Sequence, residues 1–330
     1  MYSGLDTRFA IAEESTFKTP VADAAAMIEL SCEKFDIDPD VKHHNPPRAQ
    51  GQLHPDISNL FNDRKGSIPK CSIKTIALKQ QIALFLNLLF QNVTEGASTP
   101  YQKVFTFPDV GPNFINNDGE FITIVSRPAV ASLSEKITSA ICTKLDFSLS
   151  PGADDGCLAI SAEMIGLGYT RTANPSGAWT KTTDGATERF SIYDLAVCTL
   201  GGSNLVLDNF KASIESKWVP KGVDGTGNYQ MYRLEGQSAT VDVSGIWDSV
   251  SRAGLTALDA GSEVNFILGW GATGVSGYLN FDFHGIPMPG SKPVHDDTRL
   301  VNLQIKCASN NASSHEAVSI ALADAHDWGW

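Results

Sequence analysis

The sequence is poor in charge, and above all in positive charge. Charged residues make up 19% of the 330 residues, and the acidic excess gives a formal net charge of −12. A sequence-independent DNA clamp needs surplus Lys and Arg to displace counterions, so the net charge argues against this class. The low charged fraction predicts that neighbouring subunits cover much of the surface. The net negative charge suits a surface that must not bind DNA.

Long apolar runs are also missing. The longest, at 82–90, is interrupted by Asn87, whereas a helix needs about 20 residues to cross a bilayer. Residues 1–11 have neither a basic start nor an apolar core, so we expect no secretory leader and no membrane partner. The cysteines form no CxxC pair and have no His at metal-ligand spacing. They are expected to be reduced thiols of an intracellular protein rather than a disulfide framework.

No catalytic constellation is visible. Residues 269–274 match GxGxxG, but a further strand follows where a dinucleotide site requires a helix, and this favours a hairpin turn. The histidines of the 38–62 loop lack a familiar ligand spacing. Asp154 and Asp155 lie in a Gly-rich turn, where Asp is favoured for local backbone hydrogen bonds. We therefore expect no enzymatic activity, no cofactor and no metal site.

What the sequence does contain is a series of long amphipathic strands. Apolar and polar residues alternate over 136–149, and again over 209–219, 278–286 and 299–307. A period of two predicts strands with one buried face and one wet face. A chain built mainly of such strands, without a visible site, favours a structural role over a catalytic one.

The order of elements repeats along the chain. In each half a strand, a loop and a second strand precede a predicted helix, at 75–91 and 247–260, and further strands follow. The pattern predicts a mainly β protein with one α-helix in each half. We divide it into an irregular N-terminal arm (1–26), a first β domain (27–170), a linker or excursion (171–204) and a second β domain (205–330).

Several segments resemble the tail tube proteins of long-tailed, non-contractile (siphovirus-type) phages. Residues 9–20, FAIAEESTFKTP, are similar to the family's opening pattern G-hydrophobic-A-x-E-x-T-x-G-T-P, with Lys18 in place of the usual Gly. Residues 66–73 lie where these proteins carry a strand that flanks the lumen. Residues 136–168 resemble the paired strands that close the first half, and 207–218 resemble the strand that opens the second.

The resemblance implies two tail-tube-like β-sandwich or half-barrel domains. It also implies a homo-oligomeric ring, and rings stacked into a hollow tube for DNA delivery into the host. DNA is then a partner in transit only, without specific binding. The other partners are the tape measure, terminator and distal tail proteins, and the location is the virion tail after assembly in the host cytoplasm. Since three two-domain chains supply six similar domains, we favour a ring of three chains over a ring of six.

Two sets of residues are candidates for these roles. The long 38–62 loop and the chain end predict contacts between rings or subunits through Lys42, His43, His44, Arg48, His54, Trp328 and Trp330. Wet-face carboxylates predict an acidic lumen through Asp146, Glu163, Asp242 and Asp282. The alternative function is an all-β virion module that binds a receptor or a carbohydrate. It requires a clustered aromatic platform, and the tryptophans are scattered.

Overall fold

In a computed structural model the chain is mainly β, as the sequence predicts. The structure describes residues 7–21, 27–40, 42–44, 61–63, 66–79, 81–96, 100–107, 114–115, 119–128, 133–173, 179–181, 189–225, 227–246, 248–289, 292–294, 300–309 and 316–324. All strand pairs within these ranges are antiparallel except the short β14–β2 pair. The strands, in chain order, are β1 Thr7–Glu13, β2 Ile28–Glu29, β3 Lys34–Asp38, β4 Lys42–His44, β5 Phe61–Asp63, β6 Lys70–Ile76, β7 Val93–Glu95, β8 Tyr101–Thr106, β9 Phe114–Ile115, β10 Ile122–Pro128, β11 Leu133–Leu149, β12 Ala159–Ile165, β13 Gly168–Ala173, β14 Thr180–Lys181, β15 Leu195–Leu200, β16 Ser203–Asn204, β17 Leu207–Val223, β18 Tyr229–Ile246, β19 Val264–Trp270, β20 Tyr278–Pro287, β21 Lys292–Val294, β22 Leu300–Cys307 and β23 Val318–Asp324.

Two α-helices lie in the described ranges, α1 at Ile82–Phe90 and α2 at Ser249–Ala260. The sequence predicts a start at residue 75 for the first. That boundary is wrong, because Thr75 belongs to β6 and pairs with Ile160 of β12. Every residue of α1 is buried. The helix α2 begins where the Asp248 carboxylate accepts the backbone N–H groups of Val250 and Ser251, both at 2.9 Å, which is a side-chain N-cap. Neither helix is long and apolar enough to traverse a bilayer.

A first layer of strands runs in the spatial order β3, β6, β12, β11, β17, β18, β22. A second layer runs β15, β19, β20, β23, β8, β7. Aromatic rings pack between the layers: Phe147 contacts Phe281 at a centroid distance of 5.1 Å, and Phe210 contacts Phe266 at 5.8 Å. Burying the apolar side of both layers against each other gives the fold its main core.

The two predicted halves are joined in both layers. In the first layer β11 pairs with β17, and in the second β8 pairs with β23. The largest core cluster also takes residues from both halves. The division into domains 27–170 and 205–330 stays a prediction, but the strands it separates form common sheets.

The N-terminal arm is less irregular than its sequence suggests. Thr7–Glu13 forms β1, which pairs along its length with β10. A further group of strands therefore extends from the first layer, in the order β2, β1, β10, β11, β13. The long strand β11 belongs to both groups, and it passes from one to the other near Ser139, which has a left-handed φ of 49°.

The GxGxxG match is a hairpin turn, as predicted. The strand β19 ends at Trp270, and β20 returns antiparallel to it from Tyr278. Between them Gly271, Gly274 and Gly277 have φ values of 70°, 78° and 87°. Such backbone angles are open to Gly at little steric cost, which explains the glycines without any ligand.

Candidate functional site

The outward side of the first layer is a continuous polar surface, which we call the polar face. Along each strand the apolar residues point into the core and the alternate residues point out. Residues paired across neighbouring strands lie on the same side of a sheet, so the register brings the outward residues together. The polar face consists of Lys34, Asp36, Asp38, Lys70, Ser72, Lys74, Lys144, Asp146, Ser148, Ser161, Glu163, Lys211, Ser213, Glu215, Ser238, Thr240, Asp242, Gln304 and Lys306.

Charge on the polar face is ordered in rows that cross the strands. One row contains Lys34, Lys74 and Lys306 with a single carboxylate, Asp146. We call it the basic row.

The next row along the strands has the opposite sign, and we call it the acidic row. It contains Asp36, Glu163 and Glu215 with a single lysine, Lys144. Taken together, the polar face carries as many lysines as carboxylates, although the whole chain has a net charge of −12. The acidic excess of the protein therefore lies elsewhere.

Lys144 is the centre of the ionic contacts on this face. Its Nζ lies 3.0 Å from Asp146 Oδ2 and 4.0 Å from Glu215 Oε1. The hydrogen bond that the Lys144 ammonium donates to Asp146 is the main cause that raises the pKa of Lys144, and the charges of Glu163 and Glu215 add to it. In the basic row Lys74 makes a similar contact, because its Nζ lies 2.7 Å from Oε2 of Glu33, the residue before β3. Neighbouring carboxylates thus favour the charged form of both lysines.

Three of the four predicted lumen carboxylates meet on the polar face. Asp146, Glu163 and Asp242 lie on β11, β12 and β18 of the first layer, with β17 between β11 and β18. Asp282 does not join them: it lies on β20 in the second layer, and its Oδ1 accepts a hydrogen bond from Asn265 Nδ2 at 2.9 Å. The prediction missed the lysines that share the face, although the alternation that locates the acids locates Lys144 equally well. That this face lines a lumen stays a prediction.

The predicted contact residues fall mostly beyond the described ranges. Lys42, His43 and His44 form β4, whose backbone pairs with β5. Arg48, His54, Trp328 and Trp330 lie outside the described residues. Their role in contacts between subunits stays a prediction.

A buried carboxylate anchors the segment that follows β1. Glu14 is 7% exposed, and its oxygens accept hydrogen bonds at 2.7 Å from Thr123 Oγ1, the Ser139 amide and Ser139 Oγ. Burial raises the pKa of Glu14, and the hydrogen bonds oppose that rise. Tyr232 donates its hydroxyl to the Ser139 carbonyl at 2.7 Å and ties the β17–β18 hairpin to the same place. We call this group the Glu14 anchor; sequence reasoning missed it because its members are far apart in the chain.

A second polar cluster lies on the outward side of the second layer. Both ring nitrogens of His284 face carboxylates: Nδ1 lies 3.0 Å from Glu263 Oε1, and Nε2 lies 3.2 Å from Asp282 Oδ1. This arrangement joins β20 to the start of β19. Asn265 completes the cluster, with its Nδ2 3.0 Å from His284 Nε2.

The cysteines are free thiols held in apolar surroundings. Burial raises the pKa of Cys32 to about 11, and that of Cys198 and Cys307 to about 12. These thiols stay protonated at neutral pH, and a protonated thiol is a poor nucleophile and metal ligand. Across the described residues no three His, Cys, Asp or Glu side chains are grouped so that they could hold a metal ion.

No protein-family model and no curated protein matches this chain. The geometry of the polar face and of the Glu14 anchor is therefore the main guide to function.

Proposed function

We propose that this chain is the structural subunit of a tail tube, in the virion tail of a long-tailed, non-contractile phage. Copies assemble into rings, the rings stack, and DNA passes through the hollow centre. The polar face lines that centre, and the opposite side of the first layer packs into the protein core. The subunit performs no chemistry in this role.

The observation that carries the proposal is the polar face itself. It extends over seven neighbouring strands, from β3 to β22, and contains strands from both halves of the chain. A wall for a passing polyanion needs a broad, rigid and well-solvated surface. A sheet backed by a close-packed aromatic core provides such a surface.

Edge strands support the assembly part of the proposal. Within the described residues β3 pairs only with β6, and β7 pairs only with β8. Strand edges offer unpaired backbone groups that a neighbouring subunit can continue. Rings of three chains, with partners among the tape measure, terminator and distal tail proteins, remain the form we propose.

The alternative of a receptor- or carbohydrate-binding module gains no support from the described tryptophans. Trp179, Trp218 and Trp270 are at most 5% exposed. The indole Nε1 of Trp218 donates to the Leu89 carbonyl of α1 at 3.3 Å, so this ring is used in the core. An aromatic platform for sugars requires exposed ring faces.

Electron microscopy of the purified, concentrated protein tests the proposal. We expect rings or hollow tubes in negative stain, and class averages give the number of chains in each ring. A protein that stays monomeric by light scattering and forms no rings on ageing would contradict it.

Cysteine labelling tests whether the polar face points inward. Ser213→Cys places a thiol at the middle of the face, and Thr256→Cys places one on the exposed side of α2. In assembled tubes a bulky maleimide should label Cys at 256 but not at 213, whereas both should react before assembly. Equal labelling of the two positions in intact tubes would place the polar face outside.

A further inference from the structure

The acidic row surrounds Lys144 with two glutamates, in addition to Asp146, whose Oδ2 lies 3.0 Å from the Lys144 ammonium. Lys144 lies directly opposite Glu163 of β12 on one side and Glu215 of β17 on the other. Both glutamates are exposed. Neither is buried in the core or needed to fill a hydrogen-bond network, so packing does not account for their presence.

The distance between the basic and acidic rows determines the electrostatic potential that acts on a passing polyanion. Outward residues two positions apart along a strand are separated by about 7 Å. The Debye length at physiological ionic strength is about 8 Å. When rows of opposite sign are closer together than this length, their electrostatic potentials largely cancel at the distance of a passing phosphate.

Without that cancellation the face would resemble a DNA-binding surface. Lys34, Lys74, Lys144, Lys211 and Lys306 lie on five different strands of one sheet. Each phosphate contact that releases counterions adds to affinity for duplex DNA. Balanced rows avoid such binding without the repulsion of a uniformly acidic wall.

We infer that Glu163 and Glu215 are the residues that prevent the polar face from binding duplex DNA. The inference rests on the proposed function, and it assigns these glutamates a specific purpose there: to neutralise Lys144 and its neighbours. The partner is a DNA duplex in transit, which passes the lysines of the polar face without binding to them.

The test measures duplex-DNA binding by unassembled protein, using fluorescence anisotropy at about 50 mM salt, where phosphate contacts are strong. The wild type should show no measurable binding. Glu163→Gln with Glu215→Gln should bind measurably, with a Kd at least about tenfold below the highest protein concentration at which the wild type shows no binding, and its log K should fall with log salt with a slope of about −0.9 for each phosphate contacted. Adding Lys144→Gln to this double variant should abolish the gain.

A matched control separates the face from the total charge. Asp194→Asn with Asp259→Asn makes the same change in net charge at exposed positions off the polar face, and it should leave DNA unbound. The inference is overturned if the double glutamine variant does not bind, if the control binds equally well, or if the Lys144→Gln addition has no effect. Because unassembled protein is used, this result is independent of whether tubes form in the microscope.

Discussion

The carboxylate of Glu14 accepts both the backbone N–H and the hydroxyl of Ser139, each at 2.7 Å. Ser139 is fully buried and has a left-handed backbone, at the point where β11 passes from one group of strands to the other. Its hydroxyl also accepts the Lys18 N–H at 2.9 Å. One carboxylate thus accepts the hydrogen bonds of the residue at which β11 bends, and it holds the segment after β1 against that bend.

Replacement of Glu14 by Ala should destabilise the protein by about 2–4 kcal/mol, because the Ser139 amide and the Thr123 hydroxyl lose their buried acceptor. Urea unfolding followed by tryptophan fluorescence measures the change. Ser15→Ala alters the exposed neighbour and should leave stability within about 0.5 kcal/mol of wild type. Equal effects of the two substitutions would show that the Glu14 anchor contributes little.

The Glu14 anchor should also give stability a pH dependence of defined sign. Burial raises the pKa of Glu14 in the folded protein, so the folded state binds a proton more tightly than the unfolded state. The contribution of Glu14 is therefore full below the unfolded pKa and is lost as pH rises through the folded pKa.

Glu14→Gln provides the reference, since it cannot titrate. The free energy of unfolding of wild type minus that of Glu14→Gln should fall as the pH rises above about 4.3, the ordinary pKa of a glutamate in an unfolded chain. Glu13 and Glu120, whose pKa values burial also raises, are present in both proteins and cancel. Tyr232 stays neutral, since burial raises its pKa well above the ordinary value. Lys18 is the nearby cation, and its ammonium lies 4.0 Å from Asp224. A flat or rising difference would contradict the assignment.

Asn87 should be replaceable by Leu with a gain in stability. This side chain is 3% exposed in α1, and neither its Nδ2 nor its Oδ1 has a hydrogen-bond partner among the described residues. Leu removes a buried amide and is a better helix former, so we expect a gain of about 1–2 kcal/mol in thermal unfolding. In the control Asn92→Leu, an amide that bonds to Thr106 is lost, and stability should fall. A loss at position 87 as large as that at 92 would mean that the amide has a partner.

Gly285 should be intolerant of even a methyl group. A Cβ at this position would lie 2.2 Å from the backbone oxygen of Lys306, where β20 meets β22. We expect Gly285→Ala to destabilise the protein by at least about 2 kcal/mol. Gly236 of β18 has open space around it, so Gly236→Ala should change stability by no more than about 0.5 kcal/mol. Similar melting temperatures for both variants would rule out the close approach.

Local patterns in the sequence predict the strands and the wet side of each. Phe210, Ala212 and Ile214 are buried and Lys211 and Glu215 exposed, as the alternation in β17 indicates. The helix α1 is also visible in its apolar spacing, although its first turn is misplaced. These features depend on neighbouring residues, whose effect is contained in a short window of sequence.

The charge rows depend on register between strands that are distant in the chain, and no local pattern reports it. Glu163 faces Lys144 only because β12 pairs with β11 in one particular alignment. Asp282 has the same alternating surroundings as Asp146, yet it lies on the other layer. For the same reason the Glu14 anchor, with contacts from residues 123, 139 and 232, could not be foreseen.

The pairing of β8 with β23 has a consequence for how the protein is made. Phe105 pairs with Ile320, so one edge of β8 stays open during synthesis until the ribosome has released the last described strand. Contacts so distant in sequence slow folding, because a long loop must close before they form. A nascent chain therefore cannot complete its second layer before β23 has been synthesised.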